Sequence, residues 1–112
     1  MVEGLWLVEF RNMENSGKGV VTLETQRILG GDSGYYYIGD YSIDHNTMNA
    51  TIKISQHYEG MINIFHPLTE INLDFKNQDI SNGLENTILI GQLLENPDLS
   101  VSVSFKKLSD LP

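Results

Sequence analysis

The residues best suited to catalysis or metal binding in this chain are its three histidines, His45, His57 and His66. A serine or threonine nucleophile needs a base held in a fixed arrangement, and none of the histidines lies in a Gly-x-Ser-x-Gly elbow or another ordered motif. His57 and His66 could bind a metal together with Glu59, but their spacing matches no established ligand pattern. We therefore predict no catalytic residue and no metal site, and expect that the protein is not an enzyme.

Two other groups of residues have the composition of ligand-binding loops. Asp40, Asp44 and Asn46 offer oxygen ligands, but the glycine and distal glutamate of an EF-hand loop are absent, so turn formation is the better interpretation. Residues 30–34 read Gly-Gly-Asp-Ser-Gly. Phosphate-binding loops of this kind open a helix and normally carry lysine, whereas this one opens a strand. We expect no cofactor.

Composition and charge narrow the class of protein. Seven basic and fifteen acidic residues give a formal net charge of -8, which repels nucleic-acid backbones and suits a basic protein partner. Cysteine is absent, which excludes disulfides and thiol nucleophiles. Neither a signal peptide nor a membrane-spanning segment is apparent. The expectation is a single domain over residues 1–112, located in the cytoplasm, with no direct nucleic-acid or membrane contact.

Short segments with alternating apolar and polar residues account for most of the chain. The clearest covers residues 48–56, in which Met48, Ala50, Ile52 and Ile54 face one way, as in a half-buried antiparallel strand. Polar turns separate these segments, which is typical of a meander that closes into a barrel or packs as a sandwich. Residues 57–68 break the alternation and are interpreted as a loop or short helical turn over one end. The strands are predicted at residues 5–10, 20–24, 27–29, 35–43, 48–56, 70–76, 87–94 and 99–106.

The most distinctive segment is a glycine-rich corner followed by an aromatic strand. Gly30, Gly31, Asp32 and Gly34 are predicted to form the turn, because glycine supplies the backbone conformations that tight turns require. Gly39 lies inside the following strand, where glycine often marks a bend or the close approach of another backbone, as at a barrel corner. The segment is therefore predicted to be a corner that joins two strands.

Two predicted strands carry apolar residues on both faces. Leu5 and Leu7 lie on the outer face of the first strand, and Ile88 and Ile90 on the outer face of the strand at 87–94. Exposed apolar residues of this kind commonly mark an oligomer interface, so these four are the candidate dimer residues. Coverage by loops of the same chain is the alternative.

Three segments, taken together and in this order, resemble the GrlR family. They are Gly4-Leu5-Trp6-Leu7-Val8-Glu9-Phe10, Gly19-Val20-Val21 and the glycine corner at residues 30–39. The resemblance extends from Gly4 to about Lys107. Founding members of this family are negative regulators of type III secretion genes, and the family also includes many small uncharacterised bacterial proteins.

The resemblance implies an all-β fold, an eight-stranded antiparallel lipocalin-like β-barrel with up-and-down meander order, and a homodimer. It also implies repression by binding a helix-turn-helix activator rather than DNA. Founding members carry an acidic Glu-Asp-Glu-Asp run linked to activator binding. Aligned through Gly39, that run falls on residues 43–46, where only Asp44 matches, so the same activator is not the expected partner. The candidate partner-binding residues are Asp40, Asp44, His45 and Asn46.

Two functions from different classes remain open. The first is a non-enzymatic regulatory or adaptor protein that acts by contact with a protein such as a basic helix-turn-helix regulator. The alternative is a small apolar ligand bound in the barrel interior. Large side chains predicted to face inward are big enough to fill that interior themselves, namely Trp6, Phe10, Met48, Phe75 and Phe105.

Overall fold

The computed structural model describes residues 2–59 and 68–112, in which eight strands form one closed barrel. Each strand pairs antiparallel with the next strand in sequence, and the last strand pairs with the first. The predicted eight-stranded antiparallel meander is therefore confirmed. The strands are β1 (Gly4–Arg11), β2 (Ser16–Glu24), β3 (Arg27–Gly31), β4 (Tyr35–Asp44), β5 (Thr47–Gln56), β6 (Glu70–Asp79), β7 (Ile88–Leu93) and β8 (Ser100–Ser109), with a single 3-10 turn over Leu84–Asn86 between β6 and β7.

Strand boundaries differ from the predictions at the glycine-rich ends of β2 and β3, and also at the ends of β6 and β8, which extend to Asp79 and Ser109 rather than to residues 76 and 106. β2 begins at Ser16 rather than at residue 20, because Gly17 and Gly19 pair with Phe10 and Val8 of β1. β3 continues to Gly31, so Gly30 and Gly31 belong to the strand and not to the turn, which corrects the predicted corner. Glycine has no side chain to display the alternation of a strand, so such strand ends cannot be recognised from the pattern.

The interior of the barrel is filled by side chains of the described residues. The alternating face of β5 is buried as predicted, and so are the five large side chains assigned to the interior, none of which is more than 8% exposed. Trp6 meets Phe105 edge-to-face with ring centroids 6.0 Å apart, and Phe10 meets Tyr37 in the same way at 5.5 Å. The cavity that remains among these side chains has a volume of about 10 Å³, too little to hold more than one water molecule.

Close contact between neighbouring backbones explains two of the glycines. A Cβ atom at Gly30 would overlap the carbonyl oxygen of Val20, and a Cβ at Gly39 would overlap that of Thr51. The prediction that another backbone approaches Gly39 is therefore confirmed. Glycine at these two positions lets β3 lie close to β2, and β4 lie close to β5.

A partly buried hydrogen-bond cluster fixes the turn between β3 and β4. The Oδ1 atom of Asp32 accepts hydrogen bonds from the backbone N–H groups of Gly34 and Tyr35, at 2.9 and 2.8 Å. Its Oδ2 atom accepts the hydroxyl of Tyr37. Burial, followed by the hydrogen bond to Asp32 and its negative charge, raises the pKa of Tyr37 far above its ordinary value of 10.0. The Tyr37 hydroxyl therefore remains protonated in the folded protein.

Replacement of Gly39 by alanine is expected to lower the free energy of unfolding by about 2 kcal/mol or more, because the added methyl group must displace the backbone of β5. Urea denaturation measures this change. Ser42→Ala, at an exposed position of the same strand, is the matched control and should leave the midpoint nearly unchanged. Equal effects of the two substitutions would contradict the close backbone approach.

The Tyr37 cluster also predicts how stability depends on alkaline pH. Above about pH 10 the unfolded chain loses the Tyr37 proton while the folded protein keeps it, so the unfolded state binds fewer protons and stability falls as pH rises. The wild-type free energy of unfolding should fall by up to about 1.4 kcal/mol per pH unit more steeply than that of Tyr37→Phe. Parallel pH profiles of the two proteins would show that Tyr37 titrates normally.

Candidate functional site

One end of the barrel has an opening, which we call the mouth cavity. Its volume is about 750 Å³, within the range of small-molecule sites. The cavity lies at the end that carries the N-terminal residues, the β2–β3 turn and the connection from β6 to β7. Its apolar wall consists of Val2, Trp6, Tyr41, Ile43, Ile80 and Leu84, and its charged groups are Glu3, Glu85 and Lys107.

Incomplete pairing between β6 and β7 shapes this end of the barrel. The two strands pair over only two residue pairs, Leu73 with Leu93 and Asp74 with Gln92. Nearer the cavity, the side chain of Gln78 accepts the backbone N–H of Ile90 at 2.9 Å in place of a backbone partner. The β6–β7 connection then folds over the rim, where Ile80 donates its N–H to the carbonyl of Asn46 at 2.8 Å.

Hydrogen bonds hold the aromatic floor and one wall of the mouth cavity. Trp6 donates its indole N–H to the carbonyl oxygen of Val2 at 2.8 Å, which ties the N-terminal segment to the floor. Burial raises the pKa of Tyr41, an effect partly offset by a hydrogen bond from the backbone of Gln26. Both aromatic rings are at least 93% buried, since Trp6 is 2% and Tyr41 7% exposed.

Among the charged groups that line the cavity, the lysine is paired with a carboxylate, whereas no ion pair involves Glu3 or Glu85 in the described residues. Lys107 lies opposite Trp6 in the β1–β8 register, with its Nζ atom 5.6 Å from the ring centroid. That Nζ atom also lies 2.6 Å from Oδ1 of Asp110, and Lys107 lowers the pKa of this carboxyl group. The Glu3 carboxylate accepts the N–H of Thr25 at 2.9 Å, and Glu85 is exposed. Carboxylates therefore dominate the electrostatics of the described rim.

The predicted partner-binding residues lie at the same end of the barrel. Asp44, His45 and Asn46 are exposed at the β4–β5 turn, with Oδ1 of Asp44 2.7 Å from Nδ1 of His45. Asp40 is also exposed, on the outer face of β4, where the hydroxyl of Thr51 donates to its Oδ1 atom at 3.0 Å. A four-residue separation along a strand places it about 13 Å from Asp44. Asp44, His45 and Asn46 thus lie together at the turn, whereas Asp40 lies farther along the outer face of β4.

Asp79 is a further acidic residue near the β4–β5 turn, and no local pattern in the sequence places it there. Thr47 pairs with Asp44 on one side and with Asp79 on the other, so the two carboxyl-bearing residues are two strands apart, about 10 Å. Hydrogen bonds from Ser81 lower the pKa of Asp79, which keeps it charged. We call Asp40, Asp44 and Asp79 the acidic surface.

The predicted dimer residues do not form one patch. Leu5 and Leu7 on β1 are half-buried, whereas Ile88 and Ile90 on β7 are 64% and 47% exposed. Strand β8 runs between them. Its outer residues there are polar, namely Ser102, Ser104 and Lys106.

Leu5 and Leu7 instead belong to an apolar surface that extends across β2, β3 and β4. Across the neighbouring strands β1 to β4, one row of paired residues is Leu5, Thr22, Leu29 and Ile38. A second row is Leu7, Val20, Gly31 and Tyr36. The four large residues on β2–β4 are between 37% and 48% exposed. We call this surface the outer apolar face, consisting of Leu5, Leu7, Val20, Leu29, Tyr36 and Ile38.

The histidines have local partners where they are described. His57 places Nε2 3.1 Å from the carbonyl oxygen of Asp32 and stacks on Tyr36 with ring centroids 6.4 Å apart. His66 lies outside the described residues, as do most of residues 57–68, so the metal arrangement considered for His57, Glu59 and His66 cannot be placed. Within residues 2–59 and 68–112, no cluster of three or more potential ligands could hold a metal ion.

Two further observations concern the described chain as a whole. None of its helical segments has the length and apolar character required to cross a lipid bilayer. A scan against protein-family models and a search of curated proteins each found no match.

Proposed function

We propose that this chain is a non-enzymatic regulatory or adaptor protein of the GrlR type, which acts by binding a basic protein partner. The observation that carries the proposal is the acidic surface at the mouth end, where Asp44 and Asp79 flank one exposed turn. The net charge of -8 adds a long-range field of the same sign, which accelerates association with a basic surface. A cytoplasmic location, where transcription regulators act, is part of the proposal.

The alternative of an apolar ligand inside the barrel has less support. The interior offers about 10 Å³, whereas ligand sites commonly require several hundred. Phe75 closes the interior against Gly91, since a Cβ at Gly91 would lie 2.6 Å from the Phe75 ring. Binding in the interior would therefore require the core to be displaced.

Self-association through the outer apolar face is the second part of the proposal. Contiguous exposed apolar residues are uncommon on monomers, and a two-fold axis would pack this face against the same face of a second copy. Charged residues of both signs lie at the two ends of this face. At one end Glu9 pairs with Lys18. At the other end Arg27 lies between Glu24 and Asp40. Such a boundary suits a self-complementary contact.

The acidic surface can be tested by reversing two of its charges. Asp40→Lys with Asp44→Lys should reduce recovery of the basic partner from an extract of the native source about tenfold, as expected when rim charges that steer association are inverted. Quantitative mass spectrometry of material bound to the tagged protein measures this loss. Glu14→Lys with Asp98→Lys makes the same change in net charge at the opposite end and is the matched control. Equal recovery from both variants would refute the assignment.

The dimer face is tested by placing charge on it. Leu29→Glu with Ile38→Glu should convert the dimer to a monomer in sedimentation velocity, because carboxylates would be buried without partners. Ile88→Glu with Ile90→Glu is the control on β7 and should leave the dimer intact. If only the β7 variant dissociates, the interface includes Ile88 and Ile90, two of the four residues predicted from the sequence. A monomeric wild type would remove dimerisation from the proposal.

A further inference from the structure

We propose that the mouth cavity binds a small amphipathic cation, with an alkyl or aromatic body and an ammonium group. This inference does not depend on the protein partner proposed above, since it concerns the inner wall of the barrel end rather than the outer surface of the β4–β5 turn.

The size and lining of the mouth cavity favour a small molecule with an apolar body. A volume of about 750 Å³ would accommodate a molecule of moderate size. Trp6 forms the floor, while Tyr41 and Ile43 from β4 face Ile80 and Leu84 from the β6–β7 connection. These walls come from elements that are hydrogen-bonded to one another, so the site is largely formed before a ligand enters.

The charged residues that line the mouth cavity indicate which charged group such a ligand carries. Two carboxylates, those of Glu3 and Glu85, line the cavity. Lys107 is the one lysine or arginine among the described lining residues, and Asp110 already neutralises it at 2.6 Å. The carboxylates at the rim would therefore attract an ammonium group. They would repel a carboxylate or sulfate, as would the overall charge of -8.

A ligand ammonium at the floor would have to displace the one that already lies over the buried Trp6 ring, that of Lys107. The Nζ atom of Lys107 lies 5.6 Å from the centroid of the Trp6 ring, within the range at which a cation is attracted by an aromatic face. Tyr41 supplies a second ring on the wall. Aromatic faces attract cations and repel anions, so the aromatic lining and the carboxylates favour the same ligand chemistry.

Trp6 is the only tryptophan of the chain, so its fluorescence reports directly on the cavity floor. We would titrate the full-length protein with decyltrimethylammonium and with decyl sulfate, which share an alkyl chain and differ in charge, below their critical micelle concentrations. The cation should produce a saturable change in Trp6 emission with one site per chain, and should bind at least about tenfold more tightly than the anion. Circular dichroism would verify that the barrel stays folded during the titration.

Three variants locate the site. Ile43→Lys places a positive charge in the wall at a half-open position and should weaken binding of the cation about tenfold, whereas Ile43→Leu should preserve it. Leu99→Lys is the matched control, exposed at the opposite end of the barrel, and should bind as the wild type does. Glu85→Gln removes an exposed rim carboxylate and should weaken only the cation.

The outcomes separate this inference from its competitors. Saturable binding of the cation that is lost in Ile43→Lys and retained in Leu99→Lys supports it. Equal binding of both probes, equal effects of the two lysine substitutions, or the absence of a saturable change would overturn it. If no saturable change is seen, we would instead expect the apolar wall of the mouth cavity to contact side chains of a protein partner. Recovery of that partner is measured separately with the Asp40 and Asp44 variant, so either proposal can fail without the other.

Discussion

The sheet of this protein closes on itself around an interior that its own side chains fill. Eight strands enclose a space that is only just wide enough for side chains. Here large side chains fill this space and leave a cavity of about 10 Å³. Gly30 and Gly39 permit close packing of neighbouring strands, because any side chain there would overlap the backbone of the adjacent strand. With the interior occupied by side chains, the open surfaces of the described barrel are its outer faces and its ends.

The two ends and the outer surface divide the available chemistry. The mouth end combines carboxylates, an exposed turn and an apolar cavity, while the outer surface of β1–β4 is apolar and bounded by charges of both signs. Ile43 and Asp44 are adjacent in sequence, yet Ile43 lines the cavity whereas Asp44 is 91% exposed on the turn. A single β-strand end thus serves two surfaces, because successive side chains of a strand point to opposite sides.

Most of the fold could be predicted from the sequence because alternation within a strand is a local pattern. The alternation at Met48, Ala50, Ile52 and Ile54 predicts one buried face, and all four are buried. Glycine-rich ends escaped prediction, since Gly30 and Gly31 give no alternation to recognise. The surfaces could be predicted only in part. The pairing of Asp44 with Thr47, and of Thr47 with Asp79, depends on the register of three strands, and single-strand patterns do not contain that register. For the same reason the sequence alone does not show that Leu5 lies on one surface with Leu29 and Ile38.

Site-specific photo-crosslinking in cells of the native source tests whether a basic protein binds the acidic end of the barrel. A benzophenone amino acid would replace His45 at the tip of the β4–β5 turn, or Asn96 in the turn between β7 and β8 at the opposite end. We predict a crosslink from position 45 to a basic protein and no crosslink to that protein from position 96. Crosslinks to the same protein from both positions, or from position 96 alone, would contradict it.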